Sequence, residues 1–164
     1  MLKKTMNEAL NGQMAKEYES AYLYLSMSAA CEAMALKGAA QWFRVQYKEE
    51  IEHFERLYKY VFDQGGTVRL AAIAQPPAEF ASLKDMFEQT LKHEQFITRS
   101  INELVDLAVK EKDHATAIML QWFVTEQVEE EGNDRDILDR LGMIGDKGHG
   151  LFMLDRDLGK RKDD

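Results

Sequence analysis

Glu49-Glu50-Ile51-Glu52-His53 comes back 77 residues later as Glu126-Gln127-Val128-Glu129-Glu130, and this recurrence decides the fold. Glu49 maps to Glu126, Glu50 to Gln127 and His53 to Glu130, all at an offset of 77, and Glu17 maps to Glu94 at the same offset. Both pentads lie in long proline-free stretches rich in Ala, Leu, Met, Glu and Lys, which favour helices. Metal-ligand residue types at one fixed spacing predict two copies of a helical hairpin that set carboxylates around a shared centre. Helical bundles build two-metal sites in this way.

Working outward, a first helix is predicted to open at Thr5, with Glu8 completing a capping box. Its inward stripe is Leu10, Met14, Glu17, Ala21, Tyr24, Ser28 and Cys31, and it is expected to stop near Lys37-Gly38. A second helix runs from about Ala39 to Gln64, with Phe43, Gln46, Glu50, His53, Leu57 and Val61 inward and Gly65-Gly66 ending it. The only prolines, Pro76 and Pro77, fall in the connection that follows, from Gly65 to about Ala81. Ser82, with Asp85 three residues on, caps a third helix striped by Phe87, Leu91, Glu94, Thr98, Ile101, Val105 and Ala108. A short turn at Glu111 to Asp113 leads to a fourth, striped by Met119, Phe123, Glu126 and Gln127, Glu130, Ile137 and Leu141. Glycines at 142, 145, 148 and 150 interrupt the pattern before a short fifth helix carrying Leu151, Phe152, Leu154 and Leu158.

Loop lengths set the topology. Short turns make helices one and two antiparallel, and likewise three and four, whereas a connection of roughly 17 residues can span ~55 Å when extended. That is enough to travel a helix of ~42 Å and leave helices two and three parallel. The fold class is all-α: one domain over residues 1–164, a four-helix bundle with a single long crossover and a short fifth helix. Counted from the two turns, Glu17, Glu50, His53, Glu94, Gln127 and Glu130 all lie about 14 to 19 residues along their helices, at a common level of the bundle.

Composition narrows the function classes. The 164 residues are 45% hydrophobic and 30% charged, values of an ordinary globular chain. A net charge of −8 disfavours nucleic acid and anionic membranes as partners and suits the attraction of cations. One cysteine, Cys31, excludes a disulfide framework or a CxxC metal ribbon and reads as a small core residue. With no signal-like apolar run after Met1 and no stretch of ~20 apolar residues, the expected compartment is the cytoplasm. Trp42, Trp122, Phe123 and the nine methionines read as core packing, and His93, His114 and His149 as surface residues.

A single Glu-x-x-His arises readily in an acidic chain with four histidines, and a run such as Glu126 to Glu131 is commonly a solvated face. The matched depth and offset carry the weight. Several carboxylates inside a bundle cost several kcal/mol each unless cations pair with them. Oxygen donors with one imidazole and no thiolate suit iron or manganese.

Over nearly its whole length the chain resembles the prokaryotic non-haem ferritins, on Glu17, Glu50-Ile51-Glu52-His53, Glu94 and Glu126-Gln127-Val128-Glu129-Glu130. The resemblance implies iron storage: Fe(II) is oxidised by O2 or peroxide at a di-iron ferroxidase centre and kept as Fe(III) mineral in a hollow shell of about 24 copies. One iron is then held by Glu17, Glu50 and His53, and the second by Glu50, Glu94 and Glu130, with Gln127 as a hydrogen-bonding or weak ligand. A third iron position uses Glu49, Glu126, Glu129 and Glu130, and Tyr24 stands beside the centre as an electron donor. Haem is not expected, because bacterioferritins carry Met after the bridging Glu and a second Glu-x-x-His, where this chain has Ile51 and Gln127-x-x-Glu130. Rubrerythrins need a CxxC domain, and the miniature ferritins lack a fifth helix. The acidic pore of animal ferritins has no counterpart at Ala117 to Leu120. Two rival readings remain: a discrete di-iron oxidase or peroxidase without storage, and a metal-free helical interaction module.

Overall fold

The computed structural model describes residues 2–145 and 147–162. Met1, Asp146, Asp163 and Asp164, part of the expected domain span, lie outside the described residues. Five helices follow one another: α1 (Lys4–Ala33), α2 (Lys37–Asp63), α3 (Leu83–Glu111), α4 (His114–Ile144) and α5 (His149–Leu158). There is no strand among the described residues. No helix there is long and apolar enough to cross a membrane.

Hydrogen bonds between helix ends fix the directions. The Leu2 backbone N–H donates to the Gln64 carbonyl at 3.2 Å, and Lys3 Nζ donates to the Glu111 carbonyl at 2.8 Å. The start of α1 therefore meets the ends of both α2 and α3, which makes α2 and α3 parallel to each other and antiparallel to α1. Tyr60 near the end of α2 bonds Thr116 near the start of α4 at 2.9 Å, so α4 is antiparallel to α2. The four-helix bundle with one long crossover is the observed architecture.

The crossover is laced to α1. Asn7 exchanges two hydrogen bonds with the Thr67 backbone, of 2.9 and 3.0 Å. Asn11 Nδ2 adds a bond to the Thr67 carbonyl, and Asn11 Oδ1 accepts from the Arg69 N–H. At the far end, Ser26 Oγ donates to the Pro77 carbonyl at 2.6 Å. Asn7 and Ser26 are ~28 Å apart along the helix, the distance the crossover travels.

Three helix ends differ from expectation. Thr5 is inside α1, not its cap: Lys3 is the N-cap residue and no side chain caps it. Leu2 and Lys3, tied to the ends of α2 and α3, set this start instead. The α1–α2 turn falls at residues 34–36, and its left-handed residue is Ala35 at φ 60°, not a glycine near 38. Gly38 lies inside α2 because α5 packs there: a Cβ on it would sit 1.6 Å from the Asp155 carbonyl oxygen. Gly142 falls within α4, and Gly150 within α5. The α3 cap is as expected, with Ser82 Oγ accepting from the Asp85 N–H at 3.1 Å. The second hairpin adds an Asp113 cap on the Thr116 N–H and a left-handed Lys112 at φ 56°.

The core has two apolar halves. Met6, Leu10, Phe54, Leu57, Ile101 and Phe123 fill one end, while Met27, Cys31, Phe43, Met86, Phe87 and Leu141 fill the other. Between them runs a belt of buried polar side chains.

Candidate metal centre

Each helix of the bundle contributes to the belt through residues on its inward stripe. Helix α1 delivers Glu17 and, two turns on, Tyr24; α2 delivers Glu50 and His53, one turn apart. Helix α3 delivers Glu94, and α4 delivers Gln127 and Glu130. All seven side chains are buried, from Glu17 at 0% exposure to Glu130 at 7%.

The tightest grouping is Glu17, Glu50 and His53, whose ligand atoms all lie within 4.8 Å of one another. His53 Nδ1 is 3.4 Å from Glu50 Oε2 and 4.0 Å from Glu17 Oε2. The imidazole is walled edge-on by Trp122 and Phe123, at centroid distances of 5.3 and 5.8 Å. Glu17 Oε1 accepts from Gln13 Nε2 at 2.9 Å, but its buried Oε2 has no hydrogen-bond partner. A buried carboxylate oxygen left without a donor is what a cation ligand looks like in the absence of the cation.

On the other side, Glu94 is held from two directions. The Tyr24 hydroxyl donates to its Oε1, and Gln127 Nε2 donates to its Oε2 at 2.9 Å. Glu130 Oε2 accepts from Gln46 Nε2 at 2.7 Å. The belt therefore carries four buried carboxyls in a small space. Burial and the fields of Glu94 and Glu130 push Glu50 well above the usual carboxylate range. Burial, then Glu50, raises Glu17 to about 8. Burial, then Glu94, raises Glu130 to about 7, and Glu94 itself is raised by burial despite its two donors. Burial and the neighbouring Glu94 drive the Tyr24 phenol upward too. Groups that resist ionising together but offer oxygen and imidazole donors are matched to a divalent cation, and this set fits iron.

Neither Glu50, Glu94 and Glu130 nor the four carboxylates Glu49, Glu126, Glu129 and Glu130 draw together as tightly as Glu17, Glu50 and His53 among the described residues. Glu129 is exposed, while Glu126 and Glu49 are half-buried, and Glu49 is paired with Arg161. Trp42 packs on Phe43 and Phe87 in the core rather than on the centre. His93 is not a surface residue. It lies half-buried against Tyr24, 2.7 Å from Ser20 Oγ, and burial lowers its pKa to about 4. His114 and His149 are exposed, as expected.

Four residues of the surroundings were not read from the sequence as supports of the centre: Gln13, Gln46, Asp134 and Arg161. Gln13 and Gln46 each precede a belt glutamate by four residues, the spacing that stacks side chains on one helix face. Gln13 is itself held by Ser100 Oγ, which Lys16 Nζ contacts in turn. Asp134 follows Glu130 by four and is 1% exposed with Oδ2 unpartnered; burial, then Glu94, raises it to about 9. Arg161 gives no signal in sequence, because it follows the last helix.

The chain is similar to known proteins over almost its whole length. The ferritin-like domain family matches residues 7–144. A bacterial non-heme ferritin of Escherichia coli O6:H1 is 43% identical over 158 residues, covering 96% of each chain. One from Campylobacter jejuni is 43% identical over 156 residues, covering 95% of this chain and 93% of its own. Among solved structures, an open pore ferritin from the hyperthermophilic archaeon Archaeoglobus fulgidus superposes with a TM-score of 0.97 at 43% identity, covering 99% of this chain and 100% of that one. With the belt, the crossover bundle and the fifth helix all in place, the chain belongs to the ferritin-like family and, within it, to the prokaryotic non-haem ferritins.

Proposed function

We propose that this protein oxidises Fe(II) at the buried belt and stores the Fe(III) product as mineral inside a shell of its own copies. The observation that carries the reading is the unpartnered Glu17 Oε2 facing Glu50 and His53 in the bundle interior. Glu17, Glu50 and His53 would hold one iron, and Glu50, Glu94 and Glu130 a second, with Glu50 shared between them. Gln127 and Tyr24 then act on Glu94: both donate to its carboxylate and fix its orientation. Gln13 does the same for Glu17, and Gln46 for Glu130. When two Fe(II) ions are bound, each supplies one electron to O2 or peroxide. The chain's own part is to place the ions side by side, exclude water, and release carboxyl protons as the cations enter.

Residues 1–164 act in this reading as one ferritin-like domain in the cytoplasm, in a homo-oligomer of about 24 subunits. The names of its relatives, bacterial non-heme ferritins and an archaeal ferritin, support the reading. Aerobic Fe(II) loading followed by electron microscopy tests it. Cored hollow particles with a fast absorbance rise near 300 nm are the expected result. A monomer or dimer that oxidises iron without forming cores would support a discrete di-iron oxidase, and no iron uptake would refute both.

A further inference from the structure

A line of four side chains runs from the flank of the bundle to Glu17 across the contact between α1 and α3. Lys16 Nζ donates to Ser100 Oγ, Ser100 Oγ donates to Gln13 Oε1 at 2.5 Å, and Gln13 Nε2 donates to Glu17 Oε1 at 2.9 Å. Gln13, Ser100 and Glu17 are buried, while Lys16 is half-buried with its ammonium 5.3 Å from the Phe96 ring centroid. Beyond the line lies the one Glu17 atom without a partner, Oε2, 4.0 Å from His53 Nδ1.

The first member gives the line its direction. An ammonium has three protons and no acceptor, so Ser100 only accepts from Lys16 and its own single proton is left for Gln13. An amide has one accepting and one donating end; with Ser100 donating to Oε1, Nε2 is the end that faces Glu17. Without Lys16 the hydroxyl and the amide are free to turn round together. Gln13 Nε2 would then donate to Ser100, and its carbonyl oxygen would stand against the Glu17 carboxylate. Two acceptors would oppose each other, and Glu17 would lose the donor that holds Oε1. Glu94 is held separately, by Tyr24 and Gln127.

We propose that Lys16 and Ser100 are positioning residues for the centre: acting through Gln13, they keep Glu17 Oε1 occupied and Oε2 turned toward a divalent cation beside Glu50 and His53. The inference rests on the reading of Glu17, Glu50 and His53 as one ion position.

Zn(II) binding to the assembled, chelator-treated full-length protein tests it, by calorimetry and by anomalous signal at each position in soaked crystals. Lys16→Met keeps an apolar stem over Phe96 and removes the donor, and Ser100→Ala removes the relay. Each should weaken the Glu17, Glu50 and His53 position about three- to tenfold, the order carried by one hydrogen bond, and leave the Glu94 and Glu130 position as in the native chain. Because the two residues act in series, the double variant should lose no more than Ser100→Ala alone. Co(II) in place of Zn(II) reports ligand geometry through its visible absorption, which should change in the same way in both single variants.

Native affinity and a native Co(II) spectrum in either single variant would overturn the inference. Equal weakening of both positions would also overturn it, since that is a general loosening of α1 against α3. So would losses that add in the double variant, because the two residues would then act independently. Failure of the underlying reading looks different: the native chain itself would take no ion at Glu17, Glu50 and His53.

Discussion

Replacing Glu17 by Gln should make the metal-free protein more stable at neutral pH while damaging its centre. Unfolded, Glu17 loses its proton near the ordinary carboxyl value of 4.5; folded, burial and then the Glu50 charge hold the proton until about pH 8. Below pH 4.5 both states are protonated and the group is neutral in its effect. Between the two values the unfolded chain sheds a proton that the folded chain keeps, so stability falls as pH rises. At about 1.36 kcal/mol per pH unit, the penalty at pH 7 is about 3 kcal/mol, and it levels off near pH 8. An amide at this position carries no such linkage, and its oxygen can still accept from Gln13.

The assay is thermal melting of chelator-treated protein across pH 5 to 8. The native chain should lose melting temperature over that range, and Glu17→Gln should lose less and melt higher at pH 7. Saturating Zn(II) should reverse the ranking, because a ligand that binds only the folded state stabilises it by mass action and the amide is the poorer donor. Equal melting temperatures and equal pH slopes for the two metal-free proteins would refute the premise that an ionisable Glu17 is sealed inside the bundle.

The other expectations are shorter. Glu50→Ala removes a donor shared by both proposed positions, so it should abolish the fast phase of Fe(II) oxidation followed by stopped-flow absorbance. His53→Ala and Glu94→Ala should each leave one divalent ion bound per subunit by calorimetry. In crystals soaked for graded times with limiting Zn(II), anomalous signal should grow first at Glu17, Glu50 and His53, because only that position has an imidazole donor. Earlier filling beside Glu94 and Glu130 would contradict this order. Gly38→Ala should lower the melting temperature by several degrees, since its Cβ would strike the Asp155 carbonyl and overpacking of this kind costs roughly 1–3 kcal/mol.

What the sequence determined by itself was the periodic part of the molecule. The offset between Glu50-x-x-His53 and Gln127-x-x-Glu130 follows from helical geometry, so the pattern contained both the bundle and the set of inward carboxylates. The Ser82 cap was legible for a similar reason, being a contact over three residues. Tertiary structure decided whatever depended on distant partners. The start of α1 was misread from Thr5 because Leu2 and Lys3 are anchored to Gln64 and Glu111, residues far away in sequence. Gly38 looked like a helix stop because nothing local reveals that α5 will press a carbonyl against it. His93 carries no spacing signal, and only the packing of α1 against α3 brings it to Ser20 and Tyr24. Arg161 is the clearest case: it lies 112 residues from Glu49 in the chain. A charge beyond the last helix has no periodicity to read, and its place beside the centre exists only once α5 has docked on α2.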